Sequence, residues 1–245
     1  MGLSLGEQQP VIRWLRRNVE LSSLFFLTLF VALFWAFAEL ADEVIEGATH
    51  DLDRDILLLL RKTQDISEPL GPLWFQEITR DITALGGVAI LTMTTLATAG
   101  FFLLRRDFAL MMYLLATVGG GIVASSLAKT AFDRPRPDLV PHGSIVNTAS
   151  FPSGHSMMAA VTYLTLGAVI AHFLNGRRLK IYVLSLAIMV TIMVGVSRVY
   201  LGVHWPTDVL AGWLAGSGWA IACLWGSRLI KPRNRTKSTS ETLPR

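Results

Sequence analysis

Six stretches of this chain contain no Asp, Glu, Lys or Arg: Leu21–Ala38, Ile82–Leu104, Phe108–Ala128, Ser156–Gly176, Ile181–Ser197 and Val209–Ser227. A bilayer core about 30 Å thick is crossed by roughly 20 apolar residues in a helix. Inside it each backbone polar group must find its partner within the protein, which a helix achieves on its own. One such run would suit the core of a soluble protein; six in 245 residues do not. The expected fold is all-α, a polytopic membrane protein with six transmembrane helices in one bundle. The 16% charged residues agree, against about 25% in soluble domains.

The bundle should occupy residues 21–230. Residues 1–20 precede it, and residues 231–245 form a basic, Ser/Thr-rich tail with the composition of a disordered segment. Ala36-Phe37-Ala38, downstream of Arg16-Arg17, has the look of a signal-peptidase site. A cleaved signal has an apolar core of about 7–15 residues; this run is longer, which favours an uncleaved first helix. Residues 39–81 make the longest loop. Its segment DLDRDILLLLRKTQ is too polar to span. It suits either a short amphipathic helix on the membrane surface or a helical cap packed on the bundle. Leu70–Phe75 then supplies a turn and interfacial aromatics. The sequence has no internal repeat and no second soluble domain.

Helices alternate sides, and the basic residues sort accordingly. One set of ends carries Arg13, Arg16, Arg17, Arg105, Arg106, Arg177, Arg178, Lys180, Arg228, Lys231, Arg233, Arg235, Lys237 and Arg245, which is 14 of the 22 Lys and Arg. The other carries Arg54, Arg61, Lys62, Arg80, Lys129, Arg134, Arg136 and Arg198. Positive charge marks the cytoplasmic side, so both termini are expected there. Asp42, Glu43, Glu46, Asp51, Asp53 and Asp55 then lie outside. This sidedness accounts for the net charge of +4 without nucleic-acid binding. The single cysteine, Cys223, rules out an intrachain disulfide.

The remaining polar residues gather at four helix ends. The third run ends at Lys129, followed by TAFDRPRPD; the fourth begins at PSGHS; the fifth ends at Ser197-Arg198; the sixth follows GVHWPTD. By parity alone these ends share one face. They bring together Lys129, Arg136, Arg198, His155, His204 and Asp208. Ionisable groups at a membrane are costly and commonly functional. Three cations in one place call for an anion, and phosphate suits them: Arg grips it with a planar fork, Lys as a point charge. Ser153 is a good N-cap, and Gly154 allows an anion close to the free N–H groups of a helix start. Pro206 suits a first helical turn, which lets Asp208 reach back to His204. A carboxylate on one ring nitrogen fixes the tautomer and leaves the other as a nucleophile. His155 comes from a different helix and is placed to protonate a leaving oxygen.

These residues fall in three motifs. K-x6-R-P runs from Lys129 to Arg136-Pro137, P-S-G-H is Pro152-Ser153-Gly154-His155, and S-R-x5-H-x3-D runs from Ser197-Arg198 through His204 to Asp208. In this order and spacing they resemble the type-2 phosphatidic-acid phosphatase superfamily, which includes vanadium haloperoxidases and bacterial acid phosphatases. The resemblance implies hydrolysis of a lipid phosphate without metal or cofactor, at the extracytoplasmic helix ends. It implies His204 as nucleophile through a phosphohistidine, Asp208 as its support and His155 as acid and then base. Lys129, Arg136, Ser153, Gly154 and Arg198 would hold the phosphoryl oxygens. The substrates implied are undecaprenyl diphosphate, phosphatidylglycerol phosphate or phosphatidic acid, and the short loops point to a bacterial plasma membrane.

Other readings stay open on the residues. The same phosphohistidine could pass its phosphoryl group to an acceptor lipid. A non-catalytic lipid-phosphate binder or transporter would use the cations but has no need of a carboxylate-oriented His204. Arg134, extra to the motif, binds lipid phosphate or pairs with Asp133 or Asp138. His50 and His142 read as loop residues, and His172 as a packed or hydrogen-bonded residue at the far end of its helix. Gly119–Gly121 and Gly212, Gly216 and Gly218 read as close-packing sites. For Gly212-x3-Gly216 this means packing within the bundle ahead of a dimer contact, and the chain is expected to be a monomer or homodimer.

Overall fold

In a computed structural model the structure describes residues 21–138 and 149–230. Residues 1–20 and 231–245, on which part of the sidedness argument rests, and His142 lie outside them. Among the described residues eight helices follow one another: α1 (Leu21–Ile45), α2 (His50–Leu59), α3 (Leu73–Ala84), α4 (Val88–Leu104), α5 (Phe108–Phe132), α6 (Gly154–Phe173), α7 (Arg177–Tyr200) and α8 (Pro206–Ile230). No β-strand occurs among the described residues.

Five helices, α1, α5, α6, α7 and α8, are each long and apolar enough to cross a membrane. The second expected span is different. It is broken at Leu85–Gly87, and α3 and α4 meet there at 46°. Gly86-Gly87 explains the break, since glycine is a poor helix former and Gly87 takes an extended conformation as the N-cap of α4. Taken together as one bent span, Leu73–Leu104, α3 and α4 are the sixth candidate.

The expected 39–81 loop is also more ordered than a loop. The first helix continues to Ile45, and α2 packs against α8. Leu57 of α2 has no solvent exposure and joins Val199, Trp205 and Val209 in a core cluster. This is the packed-cap arrangement of the two that the sequence allowed.

The α6 helix is the centre of the bundle, packed along α5, α7 and α8. It buries Met157, Ala159, Ala160, Val161, Thr162 and Thr165. The α8 helix can lie on it because of two small residues. A Cβ on Gly212 would fall 2.7 Å from the Ser153 carbonyl oxygen, and one on Gly216 would strike the Met157 carbonyl. That row is thus used inside the bundle. The α1 helix covers the other side of α8. Its Phe37 meets Phe132 and Phe151 with ring centroids 6.2 Å and 6.0 Å away, fixing the approach to α6.

Candidate active site

Five local features bring the polar residues to one end of the bundle. The chain leaves α5 through Asp133, at φ 27°, a left-handed conformation that Asp tolerates better than most residues. The segment after it is tied down by backbone. Ser150 N–H donates to the Arg134 carbonyl at 2.8 Å, and Trp205 Nε1 to the Pro135 carbonyl at 3.1 Å. Ser153 caps α6, its hydroxyl accepting from Ser156 N–H. Gly202, at φ 71°, lets the chain turn sharply between α7 and His204, a conformation that a β-carbon disfavours. Pro206 opens α8, so Asp208 sits in its first turn as expected.

His204 is 1% exposed and Asp208 is fully buried. His204 Nδ1 lies 3.3 Å from Asp208 Oδ2, and Arg136 Nη1 lies 3.2 Å from His204 Nε2. The tautomer follows from these two contacts. A guanidinium can only donate, so Nε2 faces Arg136 with its lone pair. The ring proton is then on Nδ1 and points at the carboxylate. Asp208 is held in turn by three further donors: Arg134 Nη1 at 2.7 Å on Oδ1, and Trp205 N–H at 2.9 Å and the Ser150 hydroxyl on Oδ2. Arg136 is itself placed by donating to the Val203 carbonyl at 2.9 Å.

The other candidates gather around this pair. A Cβ on Gly154 would lie 3.3 Å from Lys129 Nζ, so the ammonium rests against the start of α6. Lys129 senses the charges of Arg136, Arg198 and Asp208. His155 is half-buried and lies within the fields of Arg198, His204, Lys129 and Arg136. Ser153 is fully buried; its oxygen accepts from both the N–H and the hydroxyl of Ser156, at 3.4 Å and 2.9 Å. With both lone pairs engaged, what it has left to offer is its own O–H. All eight residues singled out by the motifs thus meet at one end of α5–α8.

Several neighbours were not singled out. Arg198 donates to Thr83 Oγ1 at 3.2 Å, and a Cβ on Gly86 would meet the His155 carbonyl at 3.2 Å. The break between α3 and α4 is therefore pressed against the site. Ser150 and Asp53 were missed too. Asp53 shares a face of α2 with Leu57, four residues on, and a carboxylate on an apolar helix face was the available signal. Arg134 corrects an expectation: its partners are Asp208 and Asp53, both at 2.7 Å, not Asp133 or Asp138. His50 opens α2 instead of lying in a loop, its ring edge-on to Trp205 at 5.6 Å. His172 is exposed beside Phe173 at the far end of α6 and takes no part.

Burial drives the His204 ring down to about 4, outweighing the raising effect of Asp208. The sign is that of a group protonated less readily in the folded chain than outside it. The stability from keeping the ring neutral is full above the ordinary value of 6.5 and is lost as pH falls through about 4. In a 15N-histidine NMR titration, the His204 ring should remain the neutral Nδ1–H form at pH 6, where an ordinary histidine is largely protonated. A protonated His204 at that pH would contradict this geometry.

A helical bundle of membrane-length segments, with a histidine–aspartate pair and three cations at one end, defines a class: polytopic membrane proteins built around a polar, cation-rich site. Residues 109–231 match the PAP2 superfamily, and the chain belongs to it. It is 34% identical over 199 residues to phosphatidylglycerophosphatase B of Bacillus subtilis, covering 79% of this chain and 86% of that protein. A crystal structure of a transmembrane PAP2-type phosphatidylglycerolphosphate phosphatase from Bacillus subtilis superposes with a TM-score of 0.72 at 30% identity, over 82% of this chain and 97% of the other. A shorter match, 43% over 68 residues, is to the undecaprenyl-diphosphatase of Sulfolobus acidocaldarius, over 28% of this chain and 29% of that protein. With its apolar helices, the chain is an integral membrane protein.

Proposed function

We propose that the protein is a lipid phosphatase that hydrolyses a phosphomonoester or diphosphate lipid through a phosphohistidine on His204. The observation that carries this is the His204 ring: its Nδ1–H is held by Asp208 and its Nε2 lone pair faces Arg136, with Lys129 and Arg198 close by. A site that only bound phosphate would need the cations and not a nucleophile so arranged. The names of the relatives support the substrate class.

In the first step Nε2 attacks phosphorus, a P–N bond forms and the bond to the lipid oxygen breaks. The departing alkoxide or phosphate takes a proton from His155. Water then attacks phosphorus, its proton passes to His155, and the P–N bond breaks to release inorganic phosphate and restore Nε2. Lys129, Arg136, Arg198, the Ser153 O–H and the Gly154 N–H take the phosphoryl oxygens, gripping most tightly as charge spreads in the transition state. These cations supply the charge stabilisation that a divalent ion gives elsewhere, so turnover is expected to be metal-independent. The site opens to the extracytoplasmic side of a bacterial plasma membrane, with both termini inside.

The test is a panel of labelled lipids, namely undecaprenyl diphosphate, phosphatidylglycerol phosphate and phosphatidic acid, presented to purified protein with and without EDTA. Release of inorganic phosphate, undiminished by EDTA, is expected from at least one of them. Label passing to an acceptor lipid would make the protein a phosphotransferase. Tight binding without release from any of them would make it a binder. Loss of turnover with EDTA and its return with a divalent ion would overturn the metal-free step.

A further inference from the structure

The proposed reaction uses Asp208 but leaves unexplained two charges packed beside it. Asp53, on the α2 cap, has no solvent exposure. Its oxygens accept from Thr207 N–H at 2.9 Å, Thr207 Oγ1 at 2.6 Å and Arg134 Nη2 at 2.7 Å. The other terminal nitrogen of Arg134 donates to Asp208 Oδ1 at 2.7 Å and to Thr207 Oγ1 at 2.8 Å. One half-buried guanidinium thus bridges two fully buried carboxylates. The Thr207 hydroxyl closes the ring, accepting from Arg134 and donating to Asp53.

Such an assembly is a poor way to gain stability. Taking charges out of water costs about as much as their attraction returns, and apolar replacements often serve as well. What it does supply is geometry and charge balance. Arg134 fixes Oδ1 of Asp208, which turns Oδ2 toward His204, Ser150 and Trp205 N–H. A guanidinium paired with Asp208 alone would neutralise it and weaken its hold on the His204 proton. Shared with Asp53, one positive charge faces two negative ones, and Asp208 keeps a net attraction for Nδ1–H.

We propose that Asp53 is a positioning residue for the reaction: through Arg134 it sets the Asp208 carboxylate that orients His204, which makes the α2 cap part of the catalytic apparatus. This rests on the phosphatase reading above. Asp53 touches neither the ring nor the phosphate position; it acts through Arg134.

The test compares Asp53→Asn, Arg134→Lys, which keeps the charge but not the fork, and Leu57→Ala, a packing loss on the same helix. Asp53→Asn and Arg134→Lys should each lower kcat by about 10- to 100-fold, the scale of a small misplacement of a reacting group, with KM within about twofold. The double variant should be little worse than either single one, as expected of residues acting in one chain. In 15N-histidine NMR, His204 should change from a single Nδ1–H tautomer in the parent to a mixture in both single variants. Leu57→Ala should lower Tm and leave kcat within about threefold, since surface lost in packing alone does not move the ring. The inference is overturned if Asp53→Asn and Arg134→Lys keep kcat and the tautomer, or if Leu57→Ala at equal loss of Tm reproduces their effects. If the parent protein releases no phosphate from any lipid, the phosphatase reading fails instead, and the tautomer measurement still decides whether Asp53 governs His204.

Discussion

Replacing His204 with alanine should lower kcat by a factor on the order of 10,000 or more, the scale seen when the nucleophile of a catalytic unit is removed. The reason is chemical: the change removes the ring nitrogen that faces Arg136 while its partner nitrogen is held by Asp208. The variant should still fold. His204 is buried and makes two of its contacts, at 3.2 Å and 3.3 Å, to side chains that keep other partners. The loss of the ring leaves a cavity, costing about 2–4 kcal/mol by analogy with other large-to-small core changes. The check is phosphate release beside a thermal melt in detergent. Radiolabel from substrate should also be trapped on the parent protein and be missing from the variant. Near-parental turnover in well-folded His204→Ala would sink the nucleophile assignment.

Asp208→Asn should be nearly as damaging to turnover and comparable in its cost to stability. Four donors converge on this carboxylate: Arg134 Nη1, Trp205 N–H, the Ser150 hydroxyl and His204 Nδ1. An asparagine has one oxygen and one NH2 to set against them. If the NH2 faces Arg134, two donors oppose each other with Asp53 as the guanidinium's one remaining carboxylate. If it faces His204, the ring must accept at Nδ1 and carry its proton on Nε2, where no lone pair remains to attack phosphorus. The second orientation is expected to lower kcat by about 10,000-fold, the effect of imposing the wrong tautomer on a catalytic histidine; the first keeps the tautomer and instead loses the Arg134 contact that sets the carboxylate. Unpairing a buried charge costs about 3–5 kcal/mol; the residual Asp53 partner places the loss at about 3. Stopped-flow phosphate release and a thermal melt measure the two effects. Turnover within tenfold of the parent would show that Asp208 does not govern the ring.

The legibility of the site in the sequence was uneven for physical reasons. Lys129, Arg136, Ser153, Gly154, His155, Arg198, His204 and Asp208 stood out because each is polar or flexible at the lip of an apolar run, where its cost demands a purpose. The His204–Asp208 contact was readable because four residues bridged by a helix start is a local geometry. Asp53 offered one signal, its place four residues from Leu57, and that did not single it out. It is one of six acidic residues between 42 and 55, and its burial depends on where α2 docks. Arg134 was noticed but matched with its nearest carboxylates in sequence, Asp133 and Asp138. The left-handed turn at Asp133 instead sends it back toward α8.

The sequence by itself determined the helical, membrane-length character of the chain, because a run free of charge over some 20 residues has few other uses. It also determined which ends share a face, because alternation is a matter of counting. The tertiary structure decided the rest. It broke the second span at Gly86-Gly87, since a glycine pair lowers helix propensity without saying whether packing will override it. It made a packed cap of residues 50–59 within the expected 39–81 loop, since apolar and acidic residues mixed in one short helix do not say which face will be covered. And it joined Asp53 to Asp208 through Arg134. Partners brought together by folding carry no local spacing by which a sequence could announce them.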